Sequence, residues 1–161
     1  MKYYLSLGSN LGDRKTNLEE AVSFLKNRGK ILNISSIYET SPVDMPPGSA
    51  NFYNLVLCLE SDFSPYALLG AIKEFEKNQG RDTGASQKMP RPIDIDILLA
   101  DDLIVAGKEL YIPHEKMHKR AFVLAPLAEI AASMLHPVLK KTIKDILDVL
   151  CSAEPQTATK I

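Results

Sequence analysis

Several features are scarce in this 161-residue sequence, and each scarcity excludes a class of protein. There are only two cysteines, and Cys58 and Cys151 form neither a C-x-x-C pair nor another metal-ligand spacing. This predicts a reducing compartment without a structural disulfide. A net charge of −1 without a block of Lys or Arg argues against a nucleic-acid partner. No apolar run approaches the ~18 residues of a membrane span, and no signal-peptide pattern opens the chain. We therefore expect a cytoplasmic protein with neither a membrane nor a nucleic-acid partner.

The composition is that of one globular domain. Hydrophobic residues make up 45% of the sequence and charged residues 24%, which is ordinary for a chain long enough to bury a core. We predict a single, monomeric domain over residues 1–161. Its main part is expected at about 3–100, an extension at 101–152 and a frayed tail at 153–161.

The pattern of apolar residues predicts the order β-α-β-β-α-β in the main part. Strands are predicted at 3–7, 31–38, 52–59 and from 94 onward, because apolar and polar residues alternate there. Asp13 and Ser64 can cap the two helices, which Gly29 and Gly80 would end. This order predicts an α+β ferredoxin-like plait, in which helices cover one face of an antiparallel sheet and leave the other free for a site. A hairpin at about 103–112 and two helices, one ending near Ala132 and one at 143–150, would form the extension.

The stretch at 90–99 joins a proline-bounded loop to a strictly alternating strand. Neighbouring side chains of a strand point to opposite faces, so Asp94 and Asp96 share the face opposite Ile95, with Cα atoms roughly 7 Å apart. Two carboxylates beside a core repel each other and resist desolvation, and bound cations usually compensate for this. The separation suits two hard ions about 3.5–4 Å apart, as in phosphoryl-transfer sites. An Asp-x-Asp motif alone more often marks an exposed strand start with two solvated acids, so the metal site depends on the rest of the sequence.

The third predicted strand carries a second polar signal. Phe52 and Asn54 share one of its faces, on which Asn54 is the one strongly polar residue, so its amide needs a backbone or ligand partner. A ring and an amide on one face suit a flat heteroaromatic ligand, stacked and hydrogen-bonded at its edge. Arg81, Arg91, His114 and Arg120 would join the two acids if the plait is correct. That set of groups predicts a metal–polyphosphate site, with Mg²⁺ on the acids and arginines on the phosphate oxygens.

Two other classes fit parts of these patterns. One is a non-catalytic plait, either a regulatory ligand-binding domain or an RNA-recognition sheet; the RNA version requires a basic face, which the net charge and the acid pair oppose. The other is a nucleotidyltransferase built on Gly-Ser and Asp-x-Asp. In that class the two motifs lie close together in sequence, whereas Ser9 and Asp94 are far apart here. A nucleotidyltransferase would release pyrophosphate from its nucleotide, so the nucleotide product tests this class.

Seven short motifs, in order over about residues 3–130, closely resemble the hydroxymethyldihydropterin pyrophosphokinase family of folate biosynthesis. They are Gly8-Ser9-Asn10-Leu11-Gly12-Asp13, residues 35–42, Phe52-Tyr53-Asn54, Glu76 with Gly80-Arg81, residues 90–98, Pro113-His114 and residues 120–127. The combination is specific, although each motif alone is weak. The resemblance implies transfer of the β,γ-diphosphate of ATP to the hydroxymethyl oxygen of the reduced pterin, with release of AMP.

The resemblance also implies roles for individual residues. It places two Mg²⁺ ions on Asp94 and Asp96, and catalytic arginines at Arg81 and Arg91. Contacts to ATP are implied for Glu76, Arg81, Arg91, Ile97, His114 and Arg120. Contacts to the pterin are implied for Thr40, Ser41, Pro42, Val43, Phe52, Asn54, Asp94 and Phe122. No general base is assigned, because metal ions can align and acidify the hydroxymethyl group.

This sequence departs from the family mainly in the loop after Arg81. Many members have a further Arg where Thr83 stands here, and Arg-Trp-Gly where this chain has Gln87-Lys88-Met89. Lys88 keeps one positive charge but lacks the guanidinium fork, which affects how this loop would close over ATP. Glu109 also stands where some members have Arg, and Glu115 stands where the family residue is often aromatic.

Overall fold

Eight strands and four α-helices make up the computed structural model, which describes residues 1–42, 45–80, 89–153 and 156–161. In chain order the strands are β1 (Lys2–Ser9), β2 (Lys30–Ile34), β3 (Tyr38–Thr40), β4 (Phe52–Glu60), β5 (Asp94–Ala100), β6 (Val105–Ala106), β7 (Tyr111–Ile112) and β8 (Ala158–Lys160). The helices are α1 (Arg14–Lys26), α2 (Pro65–Asn78), α3 (Ala121–Ala131) and α4 (Ile143–Ala153). Across these described ranges, no helix has the length and apolarity needed to cross a bilayer.

The main sheet has the order β5-β1-β4-β3-β8, with β2 also paired to β4, and every pair in it is antiparallel. This confirms the predicted α+β fold, because β5-β1-β4-β2 is the strand order of a ferredoxin-like plait. The second predicted strand, at 31–38, is divided into β2 and β3. The break lies at Ser35, whose hydroxyl accepts the backbone N–H of Val56 at 3.0 Å in place of a strand carbonyl.

Both predicted caps on the first two helices are present. The carboxylate of Asp13 accepts the N–H of Thr16, and the hydroxyl of Ser64 accepts the N–H of Ala67. The two helices bury one apolar face each against the same side of the sheet. Leu5, Leu57 and Ile97 are among the strand residues of this first core.

The second face of the sheet is only partly free, which corrects the sequence prediction. Helices α3 and α4 cover one half of it, forming a second core around Val56, Leu98 and Leu124. Helix α3 is apolar on several sides, so it is buried between the sheet and α4. The remaining half of this face, toward the ends of β1, β4 and β5 that hold Ser9, Phe52 and Asp94, carries the polar residues.

The tail also differs from the prediction of a frayed segment at 153–161. Helix α4 continues to Ala153, and β8 adds an edge strand that pairs with β3 through Thr40 and Ala158. An exposed row of β3 backbone groups favours such pairing. The predicted hairpin at 103–112 is present as β6 and β7.

Candidate active site

The candidate site lies on the second face of the sheet, in a row across three strands. Gly8 of β1 pairs with Asp94 of β5 on one side and with Asn54 of β4 on the other. Since paired Cα atoms are about 5 Å apart, Asp94 and Asn54 are separated by about 10 Å with only a glycine between them. The sheet therefore offers a floor without a side chain, bordered by a carboxylate and an amide.

Asp94 and Asp96 begin β5 and point away from the first core. They are partly exposed, whereas Ile95 and Ile97 between and beyond them are 3% and 4% exposed on the opposite side of the strand. Across the part of the chain that is described, His, Cys, Asp and Glu form no cluster of three or more. Mg²⁺ is commonly held by one or two carboxylates with water and substrate phosphate completing its shell, so this donor set fits that ion.

Arg91 lies beside the first of these acids. Its Nη1 atom is 3.4 Å from Oδ2 of Asp94, and the two side chains are 14% and 24% exposed. The backbone of Arg91 is fixed by Asn10, whose Oδ1 accepts the N–H of Arg91 at 2.9 Å and whose own N–H donates to the Arg91 carbonyl at 3.3 Å. The backbone of Arg91 is thus fixed, and its guanidinium lies beside a carboxylate. This arrangement suits binding of a phosphate group by the guanidinium.

Asn10 was not among the predicted site residues. It is 2% exposed, and its Nδ2 atom finds no hydrogen-bond partner among the described residues. The available sequence signal was its place in the Gly8–Asp13 turn, where a buried amide can bridge two loops. Its two bonds to Arg91 connect the end of β1 with the loop that leads into β5.

The amide of Asn54 is almost fully buried, at 3% exposed, and its Nδ2 donates to the hydroxyl of Thr40 at 2.8 Å. Its partner is thus a side chain on the neighbouring strand, where the sequence had left backbone and ligand as alternatives. The Oδ1 atom is directed toward Gly8, since a Cβ built there would lie 2.8 Å from it. Phe52 borders the same point, with its Cδ1 atom 3.7 Å from that position.

Three further predicted residues lie just beyond the sheet. Arg120 precedes α3 with an extended backbone, and its Cζ atom is 5.5 Å from the ring centroid of Phe122 in the first turn of α3. The N–H of His114 donates to the carbonyl of Leu98 at 2.8 Å, which attaches the segment after β7 to β5.

The pKa of His114 is lowered to about 4. The largest cause is burial, and the positive charge of Arg120 adds to it, while Asp94 acts in the opposite direction. Its Nδ1 atom accepts the N–H of Lys116, so its proton lies on Nε2. His114 is therefore neutral at pH 7 and can donate a hydrogen bond without adding charge.

We predict a loss of stability in mild acid that depends on His114. Because the folded-state pKa of about 4 lies below the unfolded value of about 6.5, the unfolded chain binds the proton first as the pH falls. Protonation of His114 in the unfolded chain should therefore lower the free energy of unfolding by about 2 kcal/mol between pH 7.5 and pH 5. Denaturant titrations of wild type and His114→Gln at both pH values measure it, and the variant should lack this share of the drop. The pKa of His136 is also lowered by burial, but its contribution is common to both proteins; equal drops would contradict the prediction.

Two residues expected on the ATP side lie behind β5. Glu76 of α2 is 4% exposed and its Oε1 accepts the backbone N–H of Ile95 at 2.7 Å. The side chain of Ile97 belongs to the first core. Both therefore lie on the side of β5 opposite the two acids, and Glu76 holds the backbone between those acids.

Three further residues predicted to contact the pterin lie at or just after the end of β3. Thr40 is buried at the end of β3, Ser41 is exposed and Pro42 is partly exposed. Val43, Arg81, Thr83 and Gln87-Lys88 lie outside the described residues.

Comparison with known proteins settles the family. The family model for 7,8-dihydro-6-hydroxymethylpterin-pyrophosphokinase matches residues 4–132. The chain belongs to this family. The predictions of an ATP-dependent enzyme of the diphosphotransferase type, acting on hydroxymethyldihydropterin in folate biosynthesis, are thereby confirmed.

Two bacterial relatives of this pyrophosphokinase have a similar length. The 2-amino-4-hydroxy-6-hydroxymethyldihydropteridine pyrophosphokinase of Bacillus subtilis is 40% identical over 129 residues, 79% of this chain and 76% of the relative. That of Aquifex aeolicus is 39% identical over 142 residues, 88% of each chain.

A crystal structure of Plasmodium falciparum HPPK-DHPS with pterin and p-hydroxybenzoate shares the fold, with a TM-score of 0.73 at 19% identity. The alignment covers 94% of this chain and 43% of that chain, so the pyrophosphokinase spans less than half of its length.

Proposed function

We propose that the row Asp94–Gly8–Asn54 is the place where the reduced pterin meets the diphosphate donor. In this proposal the flat pterin lies above Gly8, with its polar edge at Asn54 and its hydroxymethyl group toward Asp94. The observation that carries it is the register of β5, β1 and β4, which sets a carboxylate and a buried amide on either side of a glycine. The length of a two-ring heterocycle matches this separation of about 10 Å.

Phe52 and Phe122 would hold the two faces of the pterin. Phe52 borders Gly8 from β4, and Phe122 is partly buried at the start of α3. Aromatic rings on either side of a flat ring system add dispersion and exclude water. Backbone groups of Thr40, Ser41, Pro42 and Val43 would complete the pterin edge, next to the bond between Thr40 and Asn54.

Asp94 and Asp96 would hold two Mg²⁺ ions together with the phosphates of ATP. Bound there, the ions would withdraw negative charge from the transferred group and acidify the hydroxymethyl oxygen. The donor set supports this, because both carboxylates leave the same face of β5 two residues apart. Glu76 supports their spacing from behind through its bond to the Ile95 N–H.

The positive residues would neutralise the phosphates. Arg91 lies beside Asp94, and Arg120 lies at the start of α3; Arg81 and the backbone around Ile97 would complete the nucleotide side. A neutral His114 would donate from Nε2 to a phosphate oxygen. No side chain is assigned as general base, because phosphoryl transfer depends mainly on alignment and charge neutralisation.

The test is an assay with ATP, Mg²⁺ and 6-hydroxymethyl-7,8-dihydropterin. Formation of AMP and pterin diphosphate in equal amounts is the expected result. Release of pyrophosphate would indicate nucleotidyl transfer instead, and absence of nucleotide turnover would indicate a binding domain. Titrating Mg²⁺ at constant ATP separates a requirement for one ion from a requirement for two.

Asn54→Ala should weaken pterin binding much more than ATP binding. Losing the buried amide leaves the edge of the pterin and the Thr40 hydroxyl without a partner, at a cost of about 1–2 kcal/mol, or roughly 5- to 30-fold in Kd. Equilibrium titrations with each ligand measure this, and Asn33→Ala on exposed β2 is the matched control. Equal weakening of both ligands would assign Asn54 a structural role instead.

We further propose that residues 1–161 act as one monomeric pyrophosphokinase domain in the cytoplasm. The two cores share one sheet, which supports a single folding unit. Cys58 and Cys151 are both free thiols, in keeping with a reducing compartment. Sedimentation equilibrium tests the monomer.

A further inference from the structure

The C-terminal segment after α4 returns to the start of α3. The side-chain amide of Gln156 makes two hydrogen bonds there: its Oε1 accepts the N–H of Ala121 at 2.9 Å, and its Nε2 donates to the carbonyl of Lys119 at 3.3 Å. The residue between those two backbone groups is Arg120. One side chain, 36 residues further along the chain, therefore brackets the backbone of Arg120.

These bonds supply what the start of α3 lacks locally. The first N–H groups of a helix have no partner within the helix, and a side chain at the N-cap usually provides one. Arg120 occupies the N-cap of α3 and makes no such bond. Ala121 is 3% exposed, so water cannot readily take the place of the missing partner. Gln156 thus acts as the cap of α3 from a distant part of the sequence.

The same tail also fixes the opposite wall of the proposed pterin site. Strand β8 pairs with β3, where Ala158 lies opposite Thr40, the hydrogen-bond partner of Asn54. Lys160 Nζ is 3.5 Å from Oε1 of Glu129 on α3, two turns beyond Phe122 on the same side of the helix. The tail is thereby bonded to both β3 and α3.

We propose that Gln156 is a positioning residue for the reaction: it sets the orientation of Arg120 and Phe122, so that one residue reaches the phosphates and the other stacks on the pterin. This inference rests on the roles proposed above for those two residues. Gln156 lies beyond the segment 4–132 that matches the family model, and neither ligand need touch it. Its effect on either ligand would therefore pass through the backbone at 119–121.

The test compares Gln156→Ala with Thr159→Ala, an exposed position in β8 of the same tail. All measurements are made at a temperature at which circular dichroism shows every variant to be fully folded. We expect the Kd values of ATP and of the pterin each to rise about 5- to 20-fold in Gln156→Ala and to stay within twofold in Thr159→Ala. Hydrogen exchange at the Ala121 amide should become at least about tenfold faster in Gln156→Ala, while amides of the β1–β4 ladder keep their rates.

A double-mutant cycle shows whether Gln156 acts through Arg120. If it does, adding Gln156→Ala to Arg120→Ala should change the ATP affinity by less than twofold, because the contact to be oriented is already absent. The same comparison with Phe122→Ala uses the pterin affinity. A purely structural role would instead give additive losses in both cycles.

The outcomes separate the inference from the function on which it rests. If Arg120→Ala and Phe122→Ala weaken their ligands but Gln156→Ala does not, or if the cycles are additive, the positioning role is refuted and the proposed site stands. If Arg120→Ala and Phe122→Ala bind both ligands as wild type does, the residue roles proposed above are refuted and the inference with them. Faster exchange at Ala121 with unchanged affinities also overturns it.

Discussion

Asp94→Ala and Asp96→Ala are each expected to lower kcat by at least about a thousandfold at saturating Mg²⁺. A metal-bound phosphoryl group gains several kcal/mol of stabilisation in the transition state, and each 1.36 kcal/mol corresponds to a factor of ten in rate. Each acid is one of the two carboxylates at the start of β5, so removing either would leave the proposed ions with half of their protein ligands. Steady-state and single-turnover measurements of AMP formation test this.

The fold of these two variants should persist. Both side chains are partly exposed, the contact between Arg91 and Asp94 is long at 3.4 Å, and removing one acid relieves its repulsion of the other. The free energy of unfolding should therefore change by no more than about 1 kcal/mol. Asp102→Ala, at an exposed position just after β5, is the matched control. A variant of Asp94 or Asp96 that keeps a tenth of the wild-type kcat would remove that residue from the metal site.

The plait could be predicted from the sequence because its signals are local. Alternation at β1, β4 and β5, together with the capping residues Asp13 and Ser64, requires information from only a few neighbouring positions. The faces of Asp94, Asp96 and Asn54 follow from the two-residue period of a strand, so their common side of the sheet could also be predicted.

Contacts between distant parts of the chain could not be predicted in this way. Pairing of Asn54 with Thr40, of Asn10 with Arg91 and of Gln156 with the backbone at 119–121 joins residues that no short pattern relates. The packing of α3 and α4 on the second face could not be predicted for the same reason, since the sequence of an apolar helix does not determine which surface it packs against. The place of Gly8 between Asp94 and Asn54 could be recognised only once the register of β5, β1 and β4 was known.

Gly8→Ala is expected to weaken the pterin by roughly 100-fold or more while ATP binding changes by less than about threefold. The added Cβ would lie 2.8 Å from Oδ1 of Asn54, closer than such contacts allow, so the amide must move and give up its place between Thr40 and the ligand edge. The added Cβ would also occupy the space above β1 where the pterin ring is proposed to lie. The lost hydrogen bond and the steric intrusion together correspond to about 3 kcal/mol.

Gly70→Ala is the matched control for this substitution. Gly70 lies within α2, where a Cβ meets nothing within 4 Å, so alanine there should leave both affinities unchanged and raise stability by about 0.5–1 kcal/mol. Gly8→Ala should instead lower the unfolding free energy by about 1–3 kcal/mol, because the displaced Asn54 amide loses its buried hydrogen bond to Thr40. The pterin titration then separates the two models of the site. If Gly8→Ala binds pterin within threefold of wild type, the ring does not lie over β1, and the row Asp94–Gly8–Asn54 is not its floor.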